Sequence, residues 1–242
     1  MTELTSLEPF PEDDWTRALA VVAHPDDMEY GAAGAVARWT RAGHWVGYVL
    51  ASKGEAGMDD VPPERAARIR VDEQIESSAI VGVSDVEFLD HPDGLIEASI
   101  ALRRDIAEAI RRHRPEVILT INHHSHWGPG ALNMADHRNV GNAVLDAVRD
   151  AANRWLFTDI ESPAWSGVKR VAVAGSPYPT HAVDITDTLD TSVRSLRAHA
   201  RYLESLGEHP MSDPEEFLPA IALQVGARYG NRPAAAFEVI DV

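Results

Sequence analysis

The amino-acid sequence contains no cysteine, and this absence excludes disulfide bonds, thiolate metal sites and a cysteine nucleophile. Any metal ion must therefore be held by nitrogen and oxygen atoms. Positive charge is also scarce, since 22 lysines and arginines face 38 aspartates and glutamates. The formal net charge of −16 argues against nucleic acid and anionic membranes as partners, because both select basic surfaces. A small-molecule substrate is left open.

Long apolar runs are absent as well. No stretch approaches the length needed to span a bilayer, and residues 1–14 carry acids instead of a basic and apolar leader pattern. We therefore predict a cytoplasmic protein with no membrane partner. The 242 residues, 45% of them apolar, suffice for one large core. We treat residues 1–242 as a single domain, with an N-terminal extension at 1–17 and a surface excursion at 207–233.

Short apolar segments alternate with helical patterns along most of the chain. The strand patterns cover 18–23, 45–51, 85–89, 116–121, 169–174 and 234–240. The helical patterns cover 31–42, 64–81, 100–113, 138–152 and 187–206. This alternation is typical of a three-layer α/β/α protein, in which helices cover both faces of a mostly parallel sheet.

An imidazole and two carboxylates directly follow the first predicted strand, in the segment His24-Pro25-Asp26-Asp27. The turn at the carboxyl end of such a strand is where open α/β sheets hold ligands. His24 and Asp27 could both reach one metal ion, while Asp26 would lie beside a water on that ion and act as general base. The alternative is that the two aspartates only cap the following helix.

A third metal ligand must come from another loop, and His137 is the best candidate. It opens the helix after the fourth predicted strand, and the carboxyl ends of parallel strands meet at one edge of the sheet. Asp136 would orient a histidine, Asp26 or the substrate from behind the metal. The histidines of the loop 122–130 could hold a second ion, which we disfavour because two-metal sites usually use bridging carboxylates.

Several short motifs, taken in order, resemble the LmbE-like, or PIG-L, family of zinc-dependent de-N-acetylases. The resemblance runs from about residue 18 to residue 145 and returns weakly at Ala198-His199. The motifs are Ala23-His24-Pro25-Asp26-Asp27-x-Glu29-x-Gly31, Ser52-x-Gly54-Glu55-x-Gly57, Arg70-x-x-Glu73, Gly82, Phe88-Leu89, Asp93-Gly94 and Asp136-His137.

The resemblance implies a Rossmann-like fold with Zn²⁺, or another divalent ion, held by His24, Asp27 and His137. It also implies that Asp26 is the general base, in agreement with the interpretation from the residues themselves. The implied reaction removes an acetyl or other small acyl group from the amide nitrogen of an amino sugar or related conjugate. Some members of the family instead cleave amides of thiol conjugates.

One position departs from the family pattern. Many members have a histidine that stabilises the oxyanion where this chain has Met134, and a methionine cannot donate that hydrogen bond. Loss of one such donor typically costs about a hundredfold in rate or more. Either the metal alone stabilises the oxyanion or another group replaces the histidine, and we favour His126 or Asn133 as that replacement.

Two further residues match family positions at the rim of the pocket. They are Glu55 and Arg70, of which Glu55 would bind a sugar hydroxyl or a substrate cation. The alternative for Glu55 is helix capping and charge pairing.

Two other functions remain open. The first is a divergent member that binds a metal and a glycoside without turnover, and the second is a metal phosphoesterase with a second ion. The oligomeric state is open, and residues 207–233 could serve as an interface in a homo-oligomer or as a lid.

Overall fold

An eight-stranded sheet forms the centre of the protein, which we describe from a computed structural model over residues 6–242. The strand order is β1-β9-β10-β8-β5-β2-β3-β4. The strands are β1 (Glu8–Pro9), β2 (Arg17–Val22), β3 (Trp45–Leu50), β4 (Asp85–Phe88), β5 (Val117–Ile121), β8 (Arg170–Ala174), β9 (His181–Asp184) and β10 (Ala234–Asp241). A separate hairpin joins β6 (His126–Gly128) to β7 (Ala131–Leu132).

Five neighbouring strands, from β4 through β3, β2 and β5 to β8, run parallel, while β10 is antiparallel to both β8 and β9. From β2 the chain continues to β3 and β4 on one side and then crosses to β5 on the other. The loops after β2 and β5 therefore diverge, which opens a crevice at the carboxyl ends of these two strands.

Helices cover both faces of the sheet. The helices are α1 (Asp27–Gly31), α2 (Ala33–Arg41), α3 (Pro63–Ile80), α4 (Ile100–His113), α5 (Ala135–Ala152), α6 (Leu189–Arg197), α7 (Ala200–Ser205) and α8 (Pro214–Gly226). One core contains Trp39 of α2, and the other contains Ile106 of α4 and Val144 of α5. The predicted mostly parallel three-layer α/β/α fold is confirmed.

Two predicted helices are each divided in the structure. The pattern at 31–42 corresponds to α1 and α2, which are separated at Ala32, and α1 begins four residues earlier than predicted. The pattern at 187–206 is interrupted at Ala198 and His199. Because neither proline nor glycine stands at this second break, the sequence carries no local signal for it.

The predicted N-terminal extension and the predicted surface excursion both contribute regular structure. The first adds a strand to the sheet, and the second adds a helix that packs on it. Within the described part of the extension 1–17, β1 pairs with β9, and Phe10 and Trp15 are buried; residues 1–5 lie outside the described residues. The segment 207–233 contains α8, which packs against β10 and α6.

The sequence contains a clear N-terminal capping signal for helix α8, although the prolines of this segment favour an irregular structure. The Asp213 carboxylate accepts hydrogen bonds from the amides of Glu215 and Glu216, and Pro214 occupies the first helical position. In the part of the chain that the structure describes, no helix combines the length and apolar character that a bilayer crossing requires.

Candidate metal centre

The first turn after β2 is held by the carboxylate of Asp27. Its Oδ2 atom accepts hydrogen bonds from the backbone amides of Ala23 and His24, both at 2.9 Å. This leaves Oδ1 facing the Nε2 atom of His137 at 3.0 Å. Because Asp27 begins α1, the same residue fixes the turn and points one oxygen into the crevice.

Three buried donor atoms meet in that crevice. His24 Nδ1 lies 3.2 Å from His137 Nε2 and 3.8 Å from Asp27 Oδ2. The three side chains that the sequence predicts as ligands therefore lie close enough together to hold a single metal ion. His137 comes from the start of α5, beyond β5, so the crevice between β2 and β5 brings the three side chains together.

The other ring nitrogen of His24 is directed at two carboxylates. His24 Nε2 lies 3.2 Å from Asp136 Oδ2 and 3.1 Å from Asp93 Oδ1. The Asp136 carboxylate also accepts hydrogen bonds from the amides of Gly94 and Ile96. Asp136 is therefore placed to orient the imidazole, one of the roles predicted for it from the sequence.

The second ring nitrogen of His137 is bound by Asn133. His137 Nδ1 lies 3.0 Å from Asn133 Oδ1, while the Asn133 amide group donates to the carbonyls of Asn122 and His124. These two donated bonds fix which end of the Asn133 amide faces the imidazole. They also occupy both amide hydrogens, so Asn133 is not the oxyanion donor that the sequence analysis considered.

The hydrogen-bond partners of the His24 and His137 rings leave two nitrogens suited to bind a divalent cation. The outer nitrogen of each imidazole donates to oxygen, so in the neutral rings the two facing nitrogens both carry lone pairs. Two nitrogens and a carboxylate are a donor set typical of zinc. Burial lowers the pKa of His24, but the carboxylates of Asp136, Asp27 and Asp93 outweigh burial and raise that pKa well above its usual value. A cation held at the Nδ1 side would take the place of the second ring proton, while Nε2 keeps the proton that faces Asp136 and Asp93.

Asp26 is buried beside the ligands in a backbone conformation that is rare for aspartate. Its φ of 84° and ψ of −16° place it in the left-handed region. Burial raises the pKa of the Asp26 carboxyl to about 6, against the opposing effect of the Arg70 guanidinium. Arg70 Nη2 lies 3.1 Å from Asp26 Oδ2. A buried carboxylate of this kind suits a general base.

Arg70 reaches the site across the loop that follows β3. A Cβ atom at Gly54 would lie 2.9 Å from the Arg70 Cζ atom, so the guanidinium packs directly on this glycine backbone. The ring of Tyr202 lies over the other side, with its centroid 3.9 Å from Arg70 Cζ. Arg70 is thus buried between a loop and α7, and it contacts the predicted base directly.

The remaining predicted residues occupy different surroundings. The Glu55 carboxylate accepts hydrogen bonds from the amides of Asp93 and Lys53 and so ties two loops together. His126 is exposed in β6, where its Nδ1 lies 2.8 Å from Ser125 Oγ. Met134, at the N-terminus of α5, has 47% of its surface exposed.

Three residues that contact the candidate site were not singled out from the sequence. Gln74 Oε1 accepts a hydrogen bond from the Asp26 amide at 2.8 Å. Trp127 packs edge-on against the His137 ring, with centroids 5.4 Å apart, and Tyr202 covers Arg70. Only Gln74 had a usable signal, because it lies one helical turn after Arg70 on the predicted helix 64–81.

The fold and the cluster define an α/β protein with a buried group of histidines and aspartates, spaced to hold a metal ion, at the carboxyl edge of a mostly parallel sheet. The family model described as PIG-L, GlcNAc-PI de-N-acetylase, matches residues 19–148, which is more than half of the chain. The protein therefore belongs to the PIG-L family, as the ordered motifs predicted.

Similar proteins cover nearly the whole chain. The diacetylchitobiose deacetylase of Thermococcus kodakarensis is 29% identical over 239 residues, which cover 96% of this chain and 85% of that protein. The 1D-myo-inositol 2-acetamido-2-deoxy-alpha-D-glucopyranoside deacetylase of Kineococcus radiotolerans is 29% identical over 93% of this chain and 65% of its own length.

A solved structure supports the same family. The N,N'-diacetylchitobiose deacetylase of Pyrococcus horikoshii, in complex with the inhibitor MPG, has a TM-score of 0.85 and 25% identity, covering 95% of this chain and 85% of that chain. The predicted enzyme class, a deacetylase that hydrolyses amide bonds, is confirmed by these relatives.

Proposed function

We propose that the protein is a metal-dependent hydrolase that removes the acetyl group from an N-acetylated amino sugar. The observation that carries the proposal is the buried donor set of His24, Asp27 and His137 with Asp26 at its side. The relatives named above are deacetylases of diacetylchitobiose and of an acetamido-glucopyranoside of inositol, which supports an N-acetylglucosamine derivative as the substrate class.

We propose Zn²⁺ as the metal, because two imidazole nitrogens and one carboxylate suit this ion in a catalytic site that leaves a position open. When bound, the metal supplies a Lewis acid that polarises the acyl carbonyl and lowers the pKa of water. The ligand set remains compatible with another divalent ion, which metal analysis of the purified protein distinguishes.

The chain itself supplies the proton transfers. Asp26 accepts a proton from the water that attacks the carbonyl carbon, and its pKa of about 6 keeps it largely deprotonated at neutral pH. The carbon–nitrogen bond then breaks, acetate leaves, and Asp26 returns the proton to the departing amine. Arg70 favours the charged form of Asp26 at the start of this sequence.

Substrate contacts at the rim stay predictions. Arg70 is buried against Asp26, and Glu55 already accepts two backbone hydrogen bonds, so a direct contact with sugar would be additional to these roles. His126 remains the candidate oxyanion donor, since Asn133 has no free amide hydrogen.

The test uses purified protein loaded with Zn²⁺ and measures acetate released from N-acetylglucosamine and N,N'-diacetylchitobiose. We expect Asp26→Asn to lower the rate by about a hundredfold or more, because the amide cannot accept the proton. The matched control is Asp90→Asn, an exposed aspartate that should leave the rate unchanged. Full hydrolysis by Asp26→Asn would contradict the proposal.

Met134 favours one alternative, a member that binds metal and glycoside without turnover. It stands where many members carry an oxyanion-stabilising histidine, so a measurable affinity for the sugar without acetate release would support this alternative.

Three further predictions from the sequence also remain proposals: a single domain over residues 1–242, a cytoplasmic location and a possible homo-oligomer.

A further inference from the structure

The peptide bond between Pro25 and Asp26 is held at both of its polar ends by one helix. The Asp26 amide donates to Gln74 Oε1 at 2.8 Å, and the Pro25 carbonyl accepts from Arg70 Nη2 at 2.5 Å. Arg70 and Gln74 lie four residues apart on α3 and so share one face of that helix. Side chains from α3 therefore fix the backbone that enters Asp26.

This backbone needs such support because Asp26 is in the left-handed region with φ 84°. Residues other than glycine occupy that region at an energetic cost and persist there when their surroundings hold them. The backbone conformation of Asp26 determines where its carboxylate points, so relaxation of the turn would move the predicted base. A small displacement of a catalytic group has a large effect on rate.

The orientation of the Gln74 amide is determined by its other contacts. Its Nε2 atom donates to Glu29 Oε1 and to Ser78 Oγ, both at 3.0 Å, so its oxygen is the end that faces Asp26. Glu29 Oε1 also accepts a hydrogen bond from Ser77 Oγ. The Gln74 side chain is 1% exposed, which removes competition from solvent for these bonds.

The neighbouring metal ligand is held by a separate set of bonds. Asp27 Oδ2 accepts from the amides of Ala23 and His24, and neither bond involves α3. Removal of the Gln74 acceptor should therefore disturb Asp26 while leaving the metal ligands in place. This separation makes a role in positioning the base distinguishable from a role in metal binding.

We propose that Gln74 is a positioning residue, which holds the Asp26 backbone in its left-handed conformation so that the carboxylate stays beside the metal ligands. The inference rests on the proposed role of Asp26 as general base. It assigns to Gln74 a function that depends on its acceptor oxygen rather than on its volume.

The test compares Gln74→Met, which keeps the approximate volume but removes the acceptor, with Ile75→Met, an exposed position on the same helix. We expect Gln74→Met to lower kcat by on the order of tenfold to a hundredfold while KM and the zinc affinity stay within about twofold. In the Asp26→Asn background, Gln74→Met should cause no further loss, because both changes act through one group.

The outcomes separate the two hypotheses. Full hydrolysis by Asp26→Asn overturns the proposed function itself. If Asp26→Asn is inactive but Gln74→Met has the wild-type kcat, only the positioning role is overturned. That role is also overturned if Gln74→Met lowers kcat by the same factor in the wild-type protein and in the Asp26→Asn variant.

Amide hydrogen exchange gives a readout that needs no substrate. In the wild-type protein the Asp26 amide should be strongly protected, and Gln74→Met should accelerate its exchange while Ile75→Met does not. An unprotected Asp26 amide in the wild-type protein would overturn the proposal even if Gln74→Met failed to fold.

Discussion

The two nitrogens of the His24 ring face different groups. Nδ1 faces Asp27 and His137, while Nε2 faces the carboxylates of Asp136 and Asp93. The Asp136 carboxylate is itself held by two backbone amides, so it has little freedom to follow the imidazole. For a metal held by His24, Asp27 and His137, the affinity should therefore depend on Asp136, which lies on the opposite side of the His24 ring.

Substitution Asp136→Asn should lower the zinc affinity by about tenfold to a hundredfold, because a neutral amide orients and polarises His24 less effectively. Competition with a chromophoric chelator measures the affinity. Asp146→Asn, an exposed change on the same helix, is the control and should have no effect. An unchanged affinity in Asp136→Asn would show that Asp93 alone suffices to orient the ring.

Met134 leads to a second prediction about a single residue. The side chain is half-exposed at the start of α5, three residues before the proposed ligand His137, so a polar side chain of similar reach has room there. We expect Met134→His to raise kcat by about tenfold or more by supplying an oxyanion donor, while Met134→Leu leaves kcat unchanged. Equal rates in Met134→His and wild type would indicate that another group already fills this role.

The sequence places the four central residues at one edge of the sheet and Asp136 beside them, whereas the hydrogen bond from the Asp26 amide to Gln74 could not be predicted. His24, Asp26 and Asp27 follow a strand directly, and His137 follows another strand whose carboxyl end meets the same edge. Gln74 reaches the site only because α3 packs across the turn after β2. Sequence spacing contains no information about that packing.

At the scale of elements, the loop after β3 is shaped by Arg70. A Cβ atom at Gly57 would overlap Arg70 Nη1, and Gly57 has no positive φ, so the requirement for glycine there is one of space. The loop and the N-terminal half of α3 therefore form one packed unit around the guanidinium. The same unit supports the Pro25 carbonyl.

Substitution Gly57→Ala should lower the free energy of unfolding by about 1–3 kcal/mol, because the new methyl group displaces a buried side chain. Gly128→Ala is the matched control, since a Cβ at Gly128 meets no atom within 4 Å. Denaturant unfolding of both variants measures the difference. Equal stabilities would mean that the loop moves away from Arg70 at little cost.

Regular elements were predictable where the hydrophobic pattern is continuous, including the last strand β10, and less so in the segment 207–233. Strands β2, β3 and β5 are fully or mostly buried and match the predicted ranges closely. Helix α8 carries Pro219 in its interior, and its buried face is set by contact with β10 and α6. Here tertiary packing outweighs the local signal.

At the scale of the whole molecule, the topology of the sheet creates the site. Strand β2 lies between β3 and β5, so ligands from the two halves of the parallel region meet where the connections diverge. The net charge of −16 disfavours anionic partners but is compatible with a neutral amino sugar. A metal at this point would join α1 to α5 across the crevice.

The central claim is that one divalent metal ion and the buried acid beside it hydrolyse an acetylated amino sugar. The most direct measurement is acetate release from N,N'-diacetylchitobiose while metal-free protein is titrated with Zn²⁺. We expect no activity without metal, a linear rise up to about one equivalent per chain, and a plateau beyond it. Full activity in the metal-free protein, or no acetate release at any zinc ratio, would contradict the claim.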